Sequence, residues 1–322
     1  MEKTEVTFLS TLGKGWTEDM MLLKNGLWQL SEEGEYSFRY YMANSKTKNS
    51  MIRRGQKMAK QEFCQRAENI VCVDASLGGA VGSCPASAKK VLMGIPYEYQ
   101  FKNFMLSQEK RHTTASDTFR QFTHIIVGST FSEQLFKTSY GVDESKLIRD
   151  TALPLAWEMQ SVNSESEKKV LMILTSGNAK RTLDKKQFQE FMDFLGEDWT
   201  VVTNDPALAS NQTEWERLFY IGSTKMKLPM LRCCNVLFTN QASYAAAFIA
   251  SGKPVYLLSY ADNYFERFMN HYYTEMCIKS IADAGKIVSL DGVLSKSQSD
   301  FRNSFSYVSS QSPYRAVSAV LG

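Results

Sequence analysis

The sequence predicts an α/β fold of two Rossmann-like domains facing a cleft, and three observations predict it. Short apolar runs bounded by turn residues alternate with longer amphipathic segments, the pattern of parallel strands joined by crossover helices. A polar stretch rich in Ser and Glu, 157–169, separates two such alternations and sets the domains at 1–157 and 168–322. The third is the segment 236–260, VLFTNQASYAAAFIASGKPVYLLSY, which reads as a complete strand–turn–helix–strand unit. A chain of 322 residues has room for both domains, at about 100–200 residues each.

In the first half, Glu5 to Ser10 reads as a strand, followed by the turn Leu12–Trp16 and a helix through Met20–Leu30. Tyr36 to Met42 is a second strand, and a basic helix over about 49–66 carries Arg53, Arg54, Lys57, Lys60 and Arg66. Ile70–Asp74 and Lys90–Gly94 are short strands on either side of a glycine-containing loop, Ser76–Pro85. Phe122–Ser129 is a strand, and the helix Phe131–Tyr140 is stopped by Gly141, a residue type suited to a helix C-terminus. The second half repeats the alternation: strand Lys169–Leu174, helix Lys185–Leu195, strand Trp199–Asn204, strand Leu218–Ile221 and helix Leu228–Cys234. After the 236–260 unit, Tyr264–Met276 reads as a helix, Lys286–Leu290 as a strand, and the tail from Gln298 as helical.

Composition narrows the function. At 43% hydrophobic and 22% charged, the chain is that of an ordinary globular protein. A net charge of +3 lacks the strongly basic footprint of a dedicated nucleic-acid binder, so no nucleic-acid partner is expected. No apolar run reaches the length of a membrane span, and the N-terminus lacks the layout of a secretory signal. The six cysteines show no CxxC and no metal-ligand spacing, so no metal is expected and the thiols read as buried apolar residues of a reducing cytoplasm.

The chemistry concentrates in the 236–260 unit. Asn240, Gln241, Ala242 and Ser243 turn from the end of a strand into a small-residue helix, which places backbone N–H groups and a hydroxyl at a helix N-terminus. Unpaired amides and the helix dipole favour an anion there, and ligands of open α/β sheets bind outside the carboxyl ends of strands. Lys253 and Arg267 are the cations that suit a diphosphate leaving group at that corner. Gly13, Lys14 and Gly15 form a second phosphate-loop candidate, and Gly78, Gly79 and Gly82 a third. Glu98, or His112 on a closing loop, is the candidate general base, whereas His124 and His271 read as structural. A plain β-α-β unit with solvated charges explains each of these segments without a ligand.

With those residues in place, the chain resembles GT-B transferases, and most closely the CDP-glycerol glycerophosphotransferase group that builds teichoic-acid-type polymers. GKGWTEDMMLLKNGLWQL is similar to that group's glycine-rich loop and first helix. FTHIIVGSTFSEQLFKTSYGVDESKLI is similar to its strand, serine, helix and Tyr-Gly turn. LPMLRCCNVLFTNQASYAAAFIASGKPVYLLSYADNYFERF is similar to its donor-nucleotide corner with Gly-Lys-Pro. Three departures stand out, one of them the absence of an Arg-Gly after the corner. The family corner carries Asp-Tyr-Ser-Ser where this chain has Asn240 to Ser243, so one serine carries over. The family's Trp-His-Gly motif, whose histidine is taken as the base, has no histidine counterpart in Met93–Lys102.

The resemblance implies a transferase that moves a sugar or polyol phosphate from a nucleotide-sugar or CDP-alditol donor to a glycan or lipid-linked acceptor. It implies surface-polysaccharide synthesis in the cytoplasm, with peripheral association at the inner face of the membrane and no cofactor. The missing histidine and acidic corner raise an alternative, a catalytically inactive GT-B-like partner or regulator of a transferase. A nucleotide-sugar epimerase of the same architecture is a third option, which needs acidic and histidine residues that the sequence does not place.

Overall fold

The structure, a computed structural model, describes residues 4–10, 18–31, 36–42, 67–72, 81–82, 84–94, 97–108, 115–160, 169–175, 185–209, 216–222, 226–259, 263–279, 281, 284–288, 290–307 and 311–322. The chain divides into two compact units, Met1–Trp157 with Tyr307–Gly322, and Glu158–Ser306.

Unit 1 is a parallel sheet with its crossover helices. Its elements are β1 (Thr4–Ser10), α1 (Glu18–Leu30), β2 (Tyr36–Met42), β3 (Asn69–Cys72), β4 (Lys89–Leu92), α2 (Tyr97–Gln108), α3 (Ala115–Arg120), β5 (His124–Ile126), α4 (Thr130–Thr138), β6 (Leu147–Ile148) and α5 (Pro154–Gln160). The strand order is β2-β1-β3-β4-β5-β6, so the winding reverses between β1 and β3. β3 is buried at every residue, as expected of a parallel strand covered on both faces. In the same cluster Phe119, Phe136 and Tyr140 pack in T-shaped and tilted pairs, with centroids 4.5–5.5 Å apart, and fix α3 against α4.

Unit 2 repeats the plan with β7 (Lys169–Leu174), α6 (Lys185–Leu195), β8 (Trp199–Thr203), α7 (Pro206–Ala209), β9 (Leu218–Tyr220), α8 (Lys227–Cys233), β10 (Val236–Thr239), α9 (Ala242–Ala250), β11 (Val255–Leu258), α10 (Tyr264–Tyr272), β12 (Cys277–Ile278), α11 (Ala284–Ile287) and α12 (Lys296–Phe305). The parallel order β12-β11-β10-β7-β8-β9 is the doubly wound Rossmann arrangement, with its reversal between β7 and β10. Phe188, Phe191, Met192 and Leu195 of α6 form the predicted apolar stripe and pack on Phe238 of β10 and its neighbours.

Two expectations change. Lys286–Leu290 is not a strand: Ala284–Ile287 is helical, and the sheet closes instead with the two-residue β12, reached after α10 stops at Tyr272. Short apolar runs do not distinguish strand from helix by pattern alone. The second domain does not extend to residue 322, because Tyr307–Gly322 belongs to unit 1. There α13 (Pro313–Leu321) packs on α1, with Ser318 Oγ 2.8 Å from the Tyr36 hydroxyl. Lys89 Nζ donates to the Leu321 carbonyl at 3.0 Å. A Cβ on Gly26 would fall 2.3 Å from the Tyr314 ring, so only glycine lets the tail helix lie this close. The returning chain is also held by the Tyr307 hydroxyl, which donates to Glu133 at 2.7 Å, while Glu133 pairs with Arg149 at 2.8 Å. The basic helix 49–66, residues 76–80 and the loop of Gly13, Lys14 and Gly15 lie outside the described residues.

Candidate functional site

The carboxyl edge of the unit 2 sheet is built around the β7/β10 reversal. β10 is wholly buried and ends at Thr239, whose Oγ1 accepts from the Gln241 N–H at 3.0 Å and turns the chain. Gln241 is extended (φ −108°, ψ 113°) and makes no side-chain capping bond to α9. Eight of the nine residues of α9 are buried; Ser243, in its first turn, is the partly exposed one. The alanines let the helix pack close on β10 and β11, and its N-terminus presents about half a positive charge at the end of the sheet.

The neighbouring strand ends are tied off by their own polar groups. Asn204, after β8, accepts from the Thr175 N–H and donates to the Thr175 carbonyl, both at 2.8 Å, and so locks the ends of β7 and β8 together. Asp205 caps the short α7 through the Ala207 N–H at 2.9 Å. Beyond β11, Asn263 Oδ1 accepts from the Glu266 N–H at 2.8 Å and caps α10, while the Ser259 hydroxyl donates to the Glu266 carboxylate. Arg267 is exposed in the first turn of α10, its guanidinium 5.6 Å from the Tyr264 ring centroid.

The carboxyl edge of the unit 1 sheet differs. Ser129 caps α4 by accepting from the Ser132 N–H at 3.1 Å, and the Ser132 hydroxyl donates to Gln100 at 2.5 Å, all within buried surroundings. Gly94 and Gly128, just past β4 and β5, have positive φ (66° and 73°) and lie against Leu153. Asp19, in the first turn of α1, is partly buried and accepts from the Leu155 N–H at 2.7 Å. Burial pushes its carboxyl up to about 6, with Glu18 adding to the shift and the Leu155 bond opposing it.

No family model and no curated protein matches the sequence. Solved structures match the fold. A variant of the wall teichoic acid polymerase TagF soaked with CDPG is 12% identical over 99% of this chain and 87% of its own, at a TM-score of 0.62. The UDP-GlcNAc 2-epimerase from Methanocaldococcus jannaschii is 9% identical over 98% of this chain and 99% of its own, at 0.55. The S. aureus MnaA–UDP co-structure is 11% identical over 96% and 92%, at 0.50. The chain has a GT-B-like fold.

On this GT-B-like frame, Asn240, Gln241, Ala242, Ser243 and Arg267 share one sheet edge, since β10 and β11 are neighbours and both α9 and α10 start at their carboxyl ends. Lys253 does not join them. It follows α9, a nine-residue helix roughly 13 Å long, and lies at the opposite edge of the sheet from Ser243. Its Nζ donates to the carbonyls of Cys234 (2.8 Å) and Arg232 (3.3 Å), closing the C-terminus of α8, and burial lowers its pKa. His124 opens β5 with Nδ1 3.0 Å from Thr123 Oγ1, and His271 stacks edge-on to Tyr272. Glu98 lies on α2 with its side chain outside the described residues, as is His112 entirely. Among the described residues no group of three metal-ligating side chains comes together, and no helix is long and apolar enough to cross a membrane. Sequence reasoning missed Asn204 and Asp19. The first was signalled by its position just past a strand; the second carried no local signal, because its partner lies 136 residues away.

Proposed function

We propose that the protein transfers a sugar or polyol phosphate from a nucleotide-activated donor to an acceptor in surface-polysaccharide synthesis, with the donor diphosphate held at the N-terminus of α9. The observation that carries this reading is the α9 start itself. It sits beside the winding reversal of unit 2 and heads a helix that is otherwise buried. Solved structures of the same fold include one soaked with CDPG and one with UDP, which supports a nucleotide-linked donor. In this reading backbone N–H groups of the first turn and the Ser243 hydroxyl take up charge as the phosphate departs, and Arg267 supplies the cation from α10. Lys253 has no part in it.

The test is a thermal-shift and calorimetric screen against CDP, UDP, GDP and their activated sugars and alditols, followed by turnover of whichever donor binds. Binding to the folded state raises apparent stability by mass action. Stabilisation by one nucleotide class with donor turnover supports transfer. Binding without turnover in any assay favours the alternative, a GT-B-like partner of a transferase, to which the absence of a histidine counterpart in Met93–Lys102 points. No stabilisation by any nucleotide contradicts both.

A further inference from the structure

We propose that Lys227 is the cation that holds the donor diphosphate from the α8 side of unit 2; this deepens the proposed function and rests on it. The strands of the unit 2 sheet are parallel, so α8, which leads into the amino end of β10 at Val236, begins at the carboxyl edge. Lys227 is its first residue. α8 packs on β7, and α9 packs on β10 and β11, so both helix starts stand at the ends of the two strands between which the winding reverses. Their side chains meet there. The Lys227 ammonium lies 5.5 Å from the centroid of the Tyr244 ring. Tyr244 follows Ser243 in the first turn of α9 and is buried, so its ring fixes the ammonium beside that turn while Lys227 stays partly exposed.

A ring face engages one side of an ammonium group and leaves N–H donors for a second partner. Among the described residues no carboxylate forms an ion pair with Lys227. Lys253 has the complementary task at the other end of the same helix: by donating to the Arg232 and Cys234 carbonyls it pins α8, and with it the position of Lys227. Arg267 starts from the β11 side of α9, and Lys227 from the β7 side, so the phosphate-binding turn has a positive charge on either flank. When the bond from the transferred atom to the diphosphate oxygen breaks, its electrons stay on the nucleotide. The Lys227 ammonium stabilises that charge and neither takes nor gives a proton.

Lys227→Met and Lys227→Gln remove the charge and keep a long side chain over Tyr244, whereas Lys227→Arg restores the charge. Calorimetric titration of CDP and UDP at low and high salt, with melting curves of the free proteins, separates charge from packing. Both neutral variants are expected to bind the nucleotide that the wild type prefers about 10–100-fold more weakly at low salt. They are also expected to show a shallower salt dependence than wild type, which a loss of packing alone would not produce. Lys227→Arg is expected to recover the affinity to within about threefold, with the wild-type salt dependence. A wild type that binds CDP or UDP while the neutral variants bind it equally well overturns the role of Lys227 and leaves the donor site at α9 standing. The same holds for an affinity loss that keeps the full salt dependence, or that Lys227→Arg does not reverse. A wild type that binds neither nucleotide overturns both readings.

Discussion

Replacing Ser243 by aspartate separates the two properties joined at the start of α9. Ser243 is the second residue of that helix and is partly exposed, so a carboxylate fits there without disturbing the buried alanines. Toward the helix it is favourable: an acidic group in the first turn is worth about 0.3–1 kcal/mol against the macrodipole. Toward a diphosphate it is unfavourable. A single charge about 5 Å from a doubly charged group costs about 2 kcal/mol even at the dielectric of water, and more in partly buried surroundings. Ser243→Asp should therefore melt no lower than wild type yet bind nucleotide more than about tenfold more weakly. Melting curves without ligand, paired with calorimetric titration of CDP and UDP, read both quantities. Unchanged nucleotide affinity in the aspartate variant would refute the placement of the phosphate, since no anion site tolerates a like charge in its centre.

Four further outcomes follow from the geometry. Asp19 has a folded pKa of about 6, above its unfolded value, so its contribution is fully present at low pH and is lost as pH rises through about 6. Urea unfolding should show wild type losing up to ~3 kcal/mol relative to Asp19→Asn between about pH 4 and pH 7; parallel curves would contradict this. Lys253→Met should cost about 1–3 kcal/mol of stability by stripping the Arg232 and Cys234 carbonyls of their donor, with nucleotide affinity unchanged. The reverse pattern would return Lys253 to the donor site. Gly128→Ala should cost about 2–4 kcal/mol in chemical unfolding, combining positive φ with a clash on Leu153, and a neutral result would exclude the close packing at that rim. Deleting residues 311–322 removes the buried Val317 and Leu321 and should speed hydrogen exchange in α1 before unit 2 is affected; equal exchange in both chains would show that α13 does not brace unit 1.

The alternation of apolar runs and amphipathic segments was enough to read both sheets, and VLFT and VYLL are buried strands flanking a small-residue helix as expected. What failed depended on geometry that sequence distance hides. Lys253 is ten residues from Ser243 along the chain, but the intervening helix runs antiparallel to the strands and carries the lysine to the far edge. Arg267, more distant in sequence, returns to the edge of Ser243 because β11 brings the chain back. The tail follows the second domain along the chain, yet the fit of Tyr314 over Gly26 ties it to the first. β12, at two residues, is too short to carry a pattern. Asp19 was invisible for a different reason: its acidity is set by burial and by a backbone amide 136 residues away, and neither leaves a mark on the residues around it.

The most direct measurement is an experimental structure of the protein with bound CDP or UDP. The account predicts the terminal phosphate within hydrogen-bonding distance of the backbone N–H groups opening α9, beside Ser243 and on the same edge as Arg267. A nucleotide seated against any other part of the chain, with the α9 start covered by protein, would contradict it.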